Sequence, residues 1–494
     1  MELTESGFII GGLYSPRGER PEDFGRKNVG DSFSKSFFKL HELLLCLLGQ
    51  IQIQRAVLEM FFFKSHLAVG LLSLSVAATS WIVPGAVWTD TKGQKIDAHG
   101  GGIVKVGSTF YWSGQSASNA ETPYMYSSTD LLNWTPLGAQ AKISGMWRPK
   151  IAKPNGSFWI YGQVNRLVQP LESSRMVGGY QPHGSGEHLP PSGYTYSDTG
   201  MFQDPKDGTW YILTSADHNN VQINKINSDG TVGNRVGNLA AGAYEAPGMF
   251  NADGTYYLIV SGKTGWRGNP NQMFYSNSLS GPWNGPHSVA PGSSNTYGAQ
   301  NTFELVIEGT KQTTYIYMGD LWDSHGGSSS NYLWLPMSVD TSAKSVTLNY
   351  HSMWTVDVNT GEIKFPSTKK RHEAEEANLF GRAAISVCDH CLTKKSVHKI
   401  DHESEVVFEN VTGTGAPEWV SFHYTVNDPT AGEACIYVNG QPALNISDMN
   451  SYAGYHQTVP VQLTLQPGDT NTIKFAAVGS SDFEVSLDGI ELHE

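Results

Sequence analysis

The stretch Asp253-Gly-Thr-Tyr256-Tyr-Leu258 joins a tight-turn dipeptide to a run of aromatic and apolar residues. Asp-Gly readily adopts the positive φ angles of a two-residue hairpin, and aromatic residues favour strands. The same combination recurs, about every 50 residues, around Phe110, Phe158, Trp210 and Tyr315. A hairpin in each period of this length is typical of propeller blades, so the sequence predicts an all-β fold that begins with a five-bladed β-propeller.

Each predicted blade also contains a strongly polar residue before its hairpin. Reading back from each aromatic by about ten to fifteen residues leads to the start of the preceding strand, which lines the central axis of a propeller. The residues found there are His99, Arg148, Asp198, Glu245 and Gln300. Propeller axes are often polar for structural reasons alone. Two acids, an amide, a guanidinium and an imidazole that converge on one funnel nevertheless favour a functional site.

Length and composition narrow the class of protein. A chain of 494 residues suits two or three domains, and 53 glycines with 11% aromatic residues suit short strands joined by tight turns. The formal net charge is −13. Nucleic acids and anionic membranes are bound by clustered Lys and Arg, so we expect neither as a partner.

The N-terminal region contains the pattern of a secretory signal. Residues 60–80 begin with Met60-Phe-Phe-Phe-Lys64, continue with an apolar run of about ten residues, and end in small residues. We therefore expect a signal peptide at 60–80 and a secreted, extracellular protein with no membrane anchor after cleavage. Residues 1–59 are then a gene-model extension or disordered, with Met60 as the true start. The alternative is a real amphipathic segment with a helix from Leu43 to Leu58.

Sequons and cysteines also bear on secretion. Four N-glycosylation sequons begin at Asn133, Asn155, Asn410 and Asn445. Cys388 and Cys391 form a C-x-x-C motif, which is half of a zinc site, a redox pair, a local disulfide or two free thiols. Zinc would need two more ligands, for which His390 and His398 are poorly spaced, whereas a secreted protein favours the disulfide. We expect Cys435 to be a buried thiol on a strand.

Residues 88 to about 366 resemble glycoside hydrolase family 43, and within it the exo-β-1,3-galactanase (galactan 1,3-β-galactosidase) branch. The matching segments are Ala98-His99-Gly-Gly-Gly102, Trp147-Arg148-Pro149-Lys150, Ser197-Asp198-Thr-Gly-Met-Phe202, Glu245-Ala-Pro-Gly-Met-Phe250, Ser261-Gly-Lys-Thr264-Gly-Trp266, Gln300-Asn-Thr302 and Tyr317-Met-Gly-Asp320-Leu-Trp322. They cover the whole predicted propeller, whose domain we place at residues 81–366.

The resemblance implies a glycosidase that inverts the anomeric configuration and needs no cofactor for catalysis. Glu245 matches the general acid, whose pKa must be raised so that it stays protonated near the working pH. Asp198 matches the carboxylate that orients and tunes this acid, since a neighbouring negative charge raises the pKa of its partner. Gln300 matches the residue that places the attacking water, and Asp97 on the first blade is a rival base.

The other predicted site residues are substrate contacts. They are His99, Gln115, Trp147, Arg148, Thr264, Trp266 and Asp320. Gln115 and Trp147 depart from the galactanase pattern, which has glutamates there that would contact sugar hydroxyls. We interpret both changes as altered specificity rather than as surface substitutions, with Trp147 stacking on a sugar face. Trp266 is either a second sugar platform or a Trp that packs between blades.

A second β domain follows the propeller. Residues 367–371 are polar and follow a proline, and they are interpreted as a linker. Residues 372–494 contain several alternating runs that predict a jelly-roll-like β-sandwich. This domain resembles a family 35 carbohydrate-binding module, which implies a structural calcium. Glu373, Glu375 and Asp488 are the predicted calcium ligands, with solvated edge charges as the alternative.

These observations lead to one preferred function and two alternatives. We expect a secreted, monomeric enzyme that releases galactose from the β-1,3-galactan main chain of arabinogalactan, a polysaccharide. The first alternative is an α-L-arabinofuranosidase or β-xylosidase of the same family. The second is a non-catalytic glycan-binding protein, which the changes at Gln115 and Trp147 favour. Release of galactose, compared with binding without release, distinguishes them.

Overall fold

The computed structural model describes residues 81–493, except for residues 191–192, 217–218, 324, 427–431, 450–454 and 479–482. The predictions for residues 1–59 and 60–80 therefore lie outside the described residues. Strands predominate, and the described helices are short 3₁₀ segments at Ala117–Asn119, Gly292–Gly298 and Ala374–Glu376. In this part of the chain no helix has the length and apolar character needed to span a lipid bilayer.

Five four-stranded antiparallel sheets follow one another along the described chain. The first consists of β1 (His99–Val106), β2 (Thr109–Ser116), β3 (Thr122–Ser128) and β4 (Thr135–Ala139). The second consists of β5 (Trp147–Ala152), β6 (Phe158–Val164), β7 (Leu167–Ser173) and β8 (Gln181–Pro182). The third consists of β9 (Tyr196–Gln203), β10 (Trp210–Ala216), β11 (Val221–Ile226) and β12 (Val232–Leu239). The fourth consists of β13 (Tyr244–Ala252), β14 (Thr255–Gly262), β15 (Gln272–Ser276) and β16 (Asn284–Ser288). The fifth consists of β17 (Gln300–Glu308), β18 (Thr313–Leu321), β19 (Asn331–Asp340) and β20 (Ser345–Leu348).

The first strands of these sheets surround a common axis. β1 contacts β5, β5 contacts β9, β9 contacts β13, β13 contacts β17, and β17 contacts β1. The five sheets are therefore the blades of a five-bladed β-propeller, which confirms the prediction from the repeated hairpins. Asp253 and Gly254 connect β13 to β14 with φ angles of 49° and 78°, the positive values that a two-residue hairpin requires.

Aromatic side chains pack the first blade against the fifth. Trp112 contacts Trp134 and Trp334 at ring-centroid distances of 5.2 and 4.8 Å, and all three indoles are almost fully buried. Each such pair adds about 0.5–1.5 kcal/mol to the stabilisation from buried area. Ile82, before the first blade, pairs with Trp354, after the fifth, so the two ends of the propeller are joined.

Two antiparallel sheets, with a short ribbon before them, complete the chain. The ribbon consists of β21 (Thr355–Val356) and β22 (Ile363–Lys364). The six-stranded sheet contains β23 (Thr368–Glu373), β25 (Ala384–Val387), β26 (Lys395–Ile400), β28 (Pro417–Val426), β31 (Gln457–Thr464) and β33 (Val485–His493). The five-stranded sheet contains β24 (Asn378–Phe380), β27 (Glu405–Gly413), β29 (Gly432–Val438), β30 (Gln441–Met449) and β32 (Gly468–Val478). Side chains of both sheets share one hydrophobic cluster, in which Phe422 and Phe475 meet at 5.8 Å.

The boundary between the two domains differs from the prediction. β23 begins at Thr368, inside the stretch 367–371 that the sequence indicates to be a linker. It pairs with β33, from Thr368 opposite His493 to Glu373 opposite Gly489. These residues therefore form a strand rather than a linker, because a partner strand at the far end of the chain takes up their backbone groups.

The cysteines follow the prediction. Cys388 and Cys391 form a disulfide, so the disulfide interpretation of the C-x-x-C motif is confirmed. Cys435 lies on β29 and is 3% exposed, which confirms that this thiol is buried on a strand.

Candidate active site

A cavity of about 220 Å³ lies where the first strands of the blades begin. Its lining residues are Gln115, Trp147, Arg148, Gln163, Ser197, Asp198, Glu245, Gly265, Trp266, Gln300 and Trp322. All five blades contribute to this list. Of the five polar residues that the repeat pattern predicts to converge, Arg148, Asp198, Glu245 and Gln300 line the cavity and His99 does not.

β-bulges shape the strands at this end of the propeller. His99 pairs with Gln115, Trp147 with Gln163, and Glu245 with Ser261, and in each blade the register shifts immediately afterwards. Such a bulge bends a strand and re-aims the neighbouring side chain. Since Trp147 pairs as His99 and Glu245 do, Trp147, and not Arg148, is the equivalent residue of the second blade. The sequence alignment of the blades was wrong there by one residue.

The backbone after each of these pairs is left-handed. Gly100, Arg148 and Ala246 have φ angles of 58°, 49° and 51°. Glycine adopts this region freely, but a non-glycine residue held there costs on the order of 1–3 kcal/mol. The surrounding hydrogen bonds offset this cost, because Arg148 and Ala246 are both held by partners that belong to the cavity.

Glu245 is the first of the two carboxylates in the cavity. Its Oε1 accepts a hydrogen bond from Gln300 Nε2 at 2.9 Å. Burial, and after it the negative charge of Asp198, raises the pKa of Glu245 from 4.5 to about 7, against the opposing charge of Arg148. Glu245 therefore keeps its proton in mildly acidic solution, as the prediction of a general acid requires.

Asp198, the second carboxylate, bridges two neighbouring blades. Its Oδ1 forms an ion pair with Arg148 Nε at 3.0 Å, and its Oδ2 accepts the backbone N–H of Ala246 at 2.8 Å. Ala246 follows Glu245 directly in the chain. Asp198 thus fixes the backbone that carries Glu245 and at the same time places negative charge beside it.

Gln300 is held in a single orientation by its neighbours. Its Oε1 accepts hydrogen bonds from Arg148 Nη2 and from Trp322 Nε1, the latter at 2.8 Å. Its amide nitrogen must then be the atom that faces Glu245. Arg148, which is 3% exposed, also donates from Nη1 to the backbone oxygen of Asn301 at 3.1 Å. The guanidinium therefore connects Asp198 to Gln300 beneath the cavity.

Asp97, the rival base, is placed elsewhere. Its carboxylate accepts hydrogen bonds from Ser116 Oγ, from the backbone N–H of Ala117 and from both donors of Ser118, at 2.5–2.9 Å. Burial acts to raise its pKa, but these hydrogen bonds hold the pKa below its usual value. Asp97 does not line the cavity, so among the lining residues that the structure describes the carboxylates are Asp198 and Glu245.

Three predicted substrate contacts do not line the cavity either. His99 is fully buried, with Nδ1 3.3 Å from Asp320 Oδ1 and its ring stacked on Tyr332 at 4.7 Å. Asp320 also accepts the backbone N–H of Gly100 at 2.9 Å. These two residues hold the first blade to the fifth. Thr264 is exposed, and its hydroxyl donates to a carbonyl within its own loop at 2.6 Å.

Three indoles form one wall of the cavity. Trp147 and Trp266 meet at 5.5 Å with an interplanar angle of 35°, and Trp266 meets Trp322 at 5.0 Å with an angle of 60°. Trp147 and Trp266 both line the cavity, as predicted for sugar contacts. They also pack against each other, which agrees with Trp266 as a Trp that packs between blades, while its role as a sugar platform stays a prediction.

Gln115 is a fully buried lining residue that holds the start of the second blade. Its Oε1 accepts the backbone N–H of Arg148 at 2.8 Å, while its Nε2 is buried and has no hydrogen-bond partner. A buried donor without a partner costs about 1–3 kcal/mol, so this position of the amide is held at an energetic cost.

Four lining residues were not predicted as site residues from the sequence: Gln163, Ser197, Gly265 and Trp322. One signal was present, because Gln163 follows Trp147 at the same distance in the chain as Gln115 follows His99. Trp322 ends the last segment that matches the family, but nothing in the sequence indicates that its indole N–H bonds to the side-chain amide of Gln300. Ser197 and Gly265 adjoin predicted residues and carry no signal of their own.

The predicted calcium ligands are arranged around an arginine instead. Arg371 Nε donates to Glu373 Oε1 at 2.8 Å, and Arg371 Nη2 donates to Asp488 Oδ2 at 2.6 Å. Together with Glu375 these carboxylates do not form one group of oxygen atoms within 4.8 Å of one another among the described residues. The guanidinium already supplies the positive charge between Glu373 and Asp488, so the residues present do not fit a calcium ion.

Comparisons with known proteins agree with this geometry. The family model for glycosyl hydrolases family 43 matches residues 95–322. A crystal structure of the exo-β-1,3-galactanase from Phanerochaete chrysosporium, determined with galactose, is similar with a TM-score of 0.75 and 31% identity; the alignment covers 83% of this chain and all of the other. A family 43 β-1,3-galactosidase with galactodeoxynojirimycin is 26% identical with a TM-score of 0.50, covering 56% of this chain and all of the other.

A more distant structure is similar in fold. The exo-β-1,3-galactanase from Clostridium thermocellum gives a TM-score of 0.54 at 21% identity, covering 83% of this chain and 99% of the other. Comparison with curated protein sequences gives no significant match.

Proposed function

Since the chain belongs to family 43 of the glycosyl hydrolases, we propose that it is an exo-acting β-1,3-galactanase that releases galactose from the main chain of arabinogalactan. Family membership makes the chain a glycosidase, which hydrolyses O-glycosyl bonds. The choice of galactan is supported by the enzyme from Phanerochaete chrysosporium, which was also crystallised with β-1,3-galactotriose in a variant form.

The environment of Glu245 is the observation that carries the proposal. A carboxyl group with a pKa of about 7 is protonated in mildly acidic solution and can donate its proton to the glycosidic oxygen as the bond breaks. The Arg148–Asp198 ion pair anchors the backbone next to Glu245 and keeps a negative charge close by. That charge disfavours ionisation of the acid before the substrate has bound.

Gln300 is the residue that the family resemblance matches to placing the attacking water. An inverting glycosidase ordinarily places a second carboxylate about 6.5–9.5 Å from the acid so that a water fits between them. Gln300 instead donates to Glu245 at 2.9 Å, and its oxygen already accepts two hydrogen bonds. An imidic-acid tautomer would need that oxygen to donate a proton towards two N–H groups. We therefore assign Gln300 to holding and orienting Glu245 in this arrangement, and to contacting water only through its amide N–H.

Recognition of the terminal sugar uses neutral groups. Gln115 is a neutral amide where the galactanase pattern has a carboxylate, and its oxygen is already bonded to the backbone N–H of Arg148. Trp147 and Trp266 offer ring faces to the apolar C–H side of a sugar. These features support a pocket that binds its sugar mainly by stacking. They also keep the glycan-binding protein without turnover as the second candidate function.

Product analysis with a Glu245→Gln variant tests the proposal. Wild-type protein should release galactose from β-1,3-galactan, and proton NMR of the first product should show the α anomer if the reaction inverts. Loss of the general acid should lower the rate by at least about 10²-fold. Glu308→Gln, an exposed glutamate at the end of β17, is the matched control and should leave the rate unchanged.

Three other results of this experiment would each contradict a different part of the proposal. Binding of galactan without release of galactose by the wild type would establish the non-catalytic function instead. Release of arabinose or xylose from arabinan or xylan, but not galactose from galactan, would establish the α-L-arabinofuranosidase or β-xylosidase alternative. An initial β anomer would show retention, and would contradict the inverting mechanism.

We also propose that the enzyme is secreted and monomeric and that its C-terminal domain is a carbohydrate-binding β-sandwich. The signal-peptide pattern at residues 60–80 and the Cys388–Cys391 disulfide support secretion, because disulfides persist in oxidising compartments. Two sheets around one core support the sandwich. Mass spectrometry of the protein from culture medium should find no peptide from residues 1–59; one such peptide would disprove the proposed start at Met60.

A further inference from the structure

The disulfide of the C-terminal domain lies beside two metal-ligating side chains from distant parts of the chain. Cys391 closes the turn between β25 and β26, His456 precedes β31, and Asp488 lies on β33. The sulfur of Cys391, a ring nitrogen of His456 and a carboxylate oxygen of Asp488 all lie within 4.8 Å of one another. Cys388 is bonded to Cys391, but its sulfur forms a separate group with Cys391 and His390, so it would have to move towards His456 and Asp488 once the disulfide is reduced.

Two atoms of this cluster are buried without hydrogen-bond partners. They are Nδ1 of His456 and Oδ1 of Asp488. Asp488 is 5% exposed, and only its other oxygen, Oδ2, is bonded, to Arg371. A buried polar atom without a partner is destabilising, and two of them next to a pair of sulfurs point to a ligand that the cluster can bind.

We propose that reduction of the Cys388–Cys391 disulfide opens a zinc site whose ligands are both thiolates, His456 and Asp488. Two sulfurs, one nitrogen and one oxygen make a tetrahedral set that suits zinc, and two cysteines separated by two residues are the usual spacing of structural zinc ligands. Sulfur and imidazole donors favour zinc over calcium, which binds oxygen ligands. In this proposal the fold supplies His456 and Asp488, the two ligands that the C-x-x-C motif itself lacks.

The reaction balances with a dithiol as the reductant. The dithiol gives two electrons and becomes a disulfide, the Cys388–Cys391 bond breaks, and each cysteine sulfur takes one proton. Zinc then binds both sulfurs as thiolates and releases the two protons. Two thiolates carry the opposite charge of Zn²⁺, so the cluster keeps the net charge that it has with the disulfide. Arg371, bonded to Asp488 Oδ2, would orient Oδ1 towards the metal in the way that outer partners orient ligands.

Cobalt absorption of the full-length protein tests the site. After anaerobic reduction and removal of the reductant, added Co²⁺ should give thiolate-to-cobalt charge-transfer bands and intense tetrahedral d–d bands, which zinc then displaces. The oxidised protein should give neither. Cys391→Ser and His456→Ala should each abolish or strongly weaken the bands, whereas Cys435→Ser, a buried thiol in the other sheet, should leave them intact. If the protein tested includes residues 1–59, every variant also carries Cys46→Ser, so that this thiol cannot contribute.

His390 provides a second control, because its ring lies near both cysteines but is exposed. His390→Ala should retain the cobalt bands. Bands that depend on His390 but not on His456 would overturn the proposed ligand set, and a reduced, folded protein without bands would overturn the site itself.

Thermal unfolding gives an answer that does not depend on the variants. Zinc should raise the midpoint of the reduced wild-type protein, because a ligand that binds only the native state stabilises it, and should leave the oxidised protein unchanged. Equal effects on both forms, or none on either, would contradict a site that the disulfide controls.

Discussion

Replacing Asp198 by asparagine would remove one negative charge beside Glu245 while leaving an oxygen that can still accept the N–H of Ala246. Burial is the first cause that raises the pKa of Glu245 to about 7 and the charge of Asp198 is the second, while Arg148 opposes both. In the variant the positive charge of Arg148 is no longer paired. Loss of the carboxylate and the unpaired guanidinium both lower the pKa of Glu245, by about one to two units for charges this close.

The size of the effect follows from the ionisation of one group. With a pKa of about 7, about half of Glu245 carries its proton at pH 7, and nearly all does at pH 4.5. With a pKa between about 5 and 6, the protonated fraction at pH 7 falls to between about 1% and 9%, whereas at pH 4.5 it remains above about 75%. The general acid acts when it is protonated, so activity is lost as the pH rises through this pKa. The ratio of activity at pH 4.5 to that at pH 7 should therefore increase by about 5- to 40-fold in Asp198→Asn.

The pH dependence of kcat/KM on β-1,3-galactan is the assay, because it reports the ionisation of the free enzyme. The alkaline limb of the profile should move to lower pH in Asp198→Asn. Asp229→Asn, which changes an exposed turn carboxylate of the same blade, should leave the limb in place. If Asp198→Asn lowers activity at every pH by the same factor, Asp198 does not tune the acid, and its role is limited to the backbone contact.

Two further substitutions test the site and the fold. Trp322→Phe removes one of the two N–H groups that hold Gln300 Oε1 and leaves only that of Arg148, so the bond from Gln300 Nε2 to Glu245 should weaken. Since the Gln300–Glu245 hydrogen bond lowers the pKa of Glu245, the alkaline limb of the kcat/KM profile should move to higher pH while kcat falls, and an unmoved limb would contradict the role of the indole. Gly114→Ala would place a Cβ 2.1 Å from a backbone oxygen next to β1, so chemical unfolding should show a loss of about 1–3 kcal/mol or more. Gly156→Ala, with no atom within 4 Å of the new Cβ, should change stability by less than about 0.5 kcal/mol; equal losses in both variants would show that packing is not the cause.

The blades could be predicted from the sequence because their signals are local. A tight turn followed by alternating aromatic residues determines one hairpin without reference to the rest of the chain, and its recurrence counts the blades. The converging polar residues follow in turn, because Glu245 and Gln300 lie near the start of an innermost strand, where the repeat places them. Neither inference needed a contact between distant segments.

Pairing between distant segments accounts for what the sequence did not reveal. His99 is buried because Asp320, from the fifth blade, closes against it, and no pattern around His99 shows that the first and fifth blades meet. The bulge in β5 puts Trp147, and not Arg148, at the position equivalent to His99 and Glu245. The alternation of apolar and polar residues in the sequence does not reveal this shift of one residue. The polar stretch that includes Arg371 has the composition of a linker, yet β33 makes it a strand.

Arg148 unites the features of the site that depend on such pairing. Its backbone is left-handed, which is unfavourable for arginine by on the order of 1–3 kcal/mol, and its guanidinium is almost completely removed from water. A buried arginine in this conformation is tolerated only if its charge is paired and its N–H groups have acceptors. Asp198, Gln300 and the backbone oxygen of Asn301 are these partners. The same three bonds determine where the carboxylate lies and which end of the amide faces Glu245. The interactions that make the strained arginine tolerable are therefore also the ones that place Asp198 and Gln300 beside Glu245, the two neighbours that act on its pKa in opposite directions.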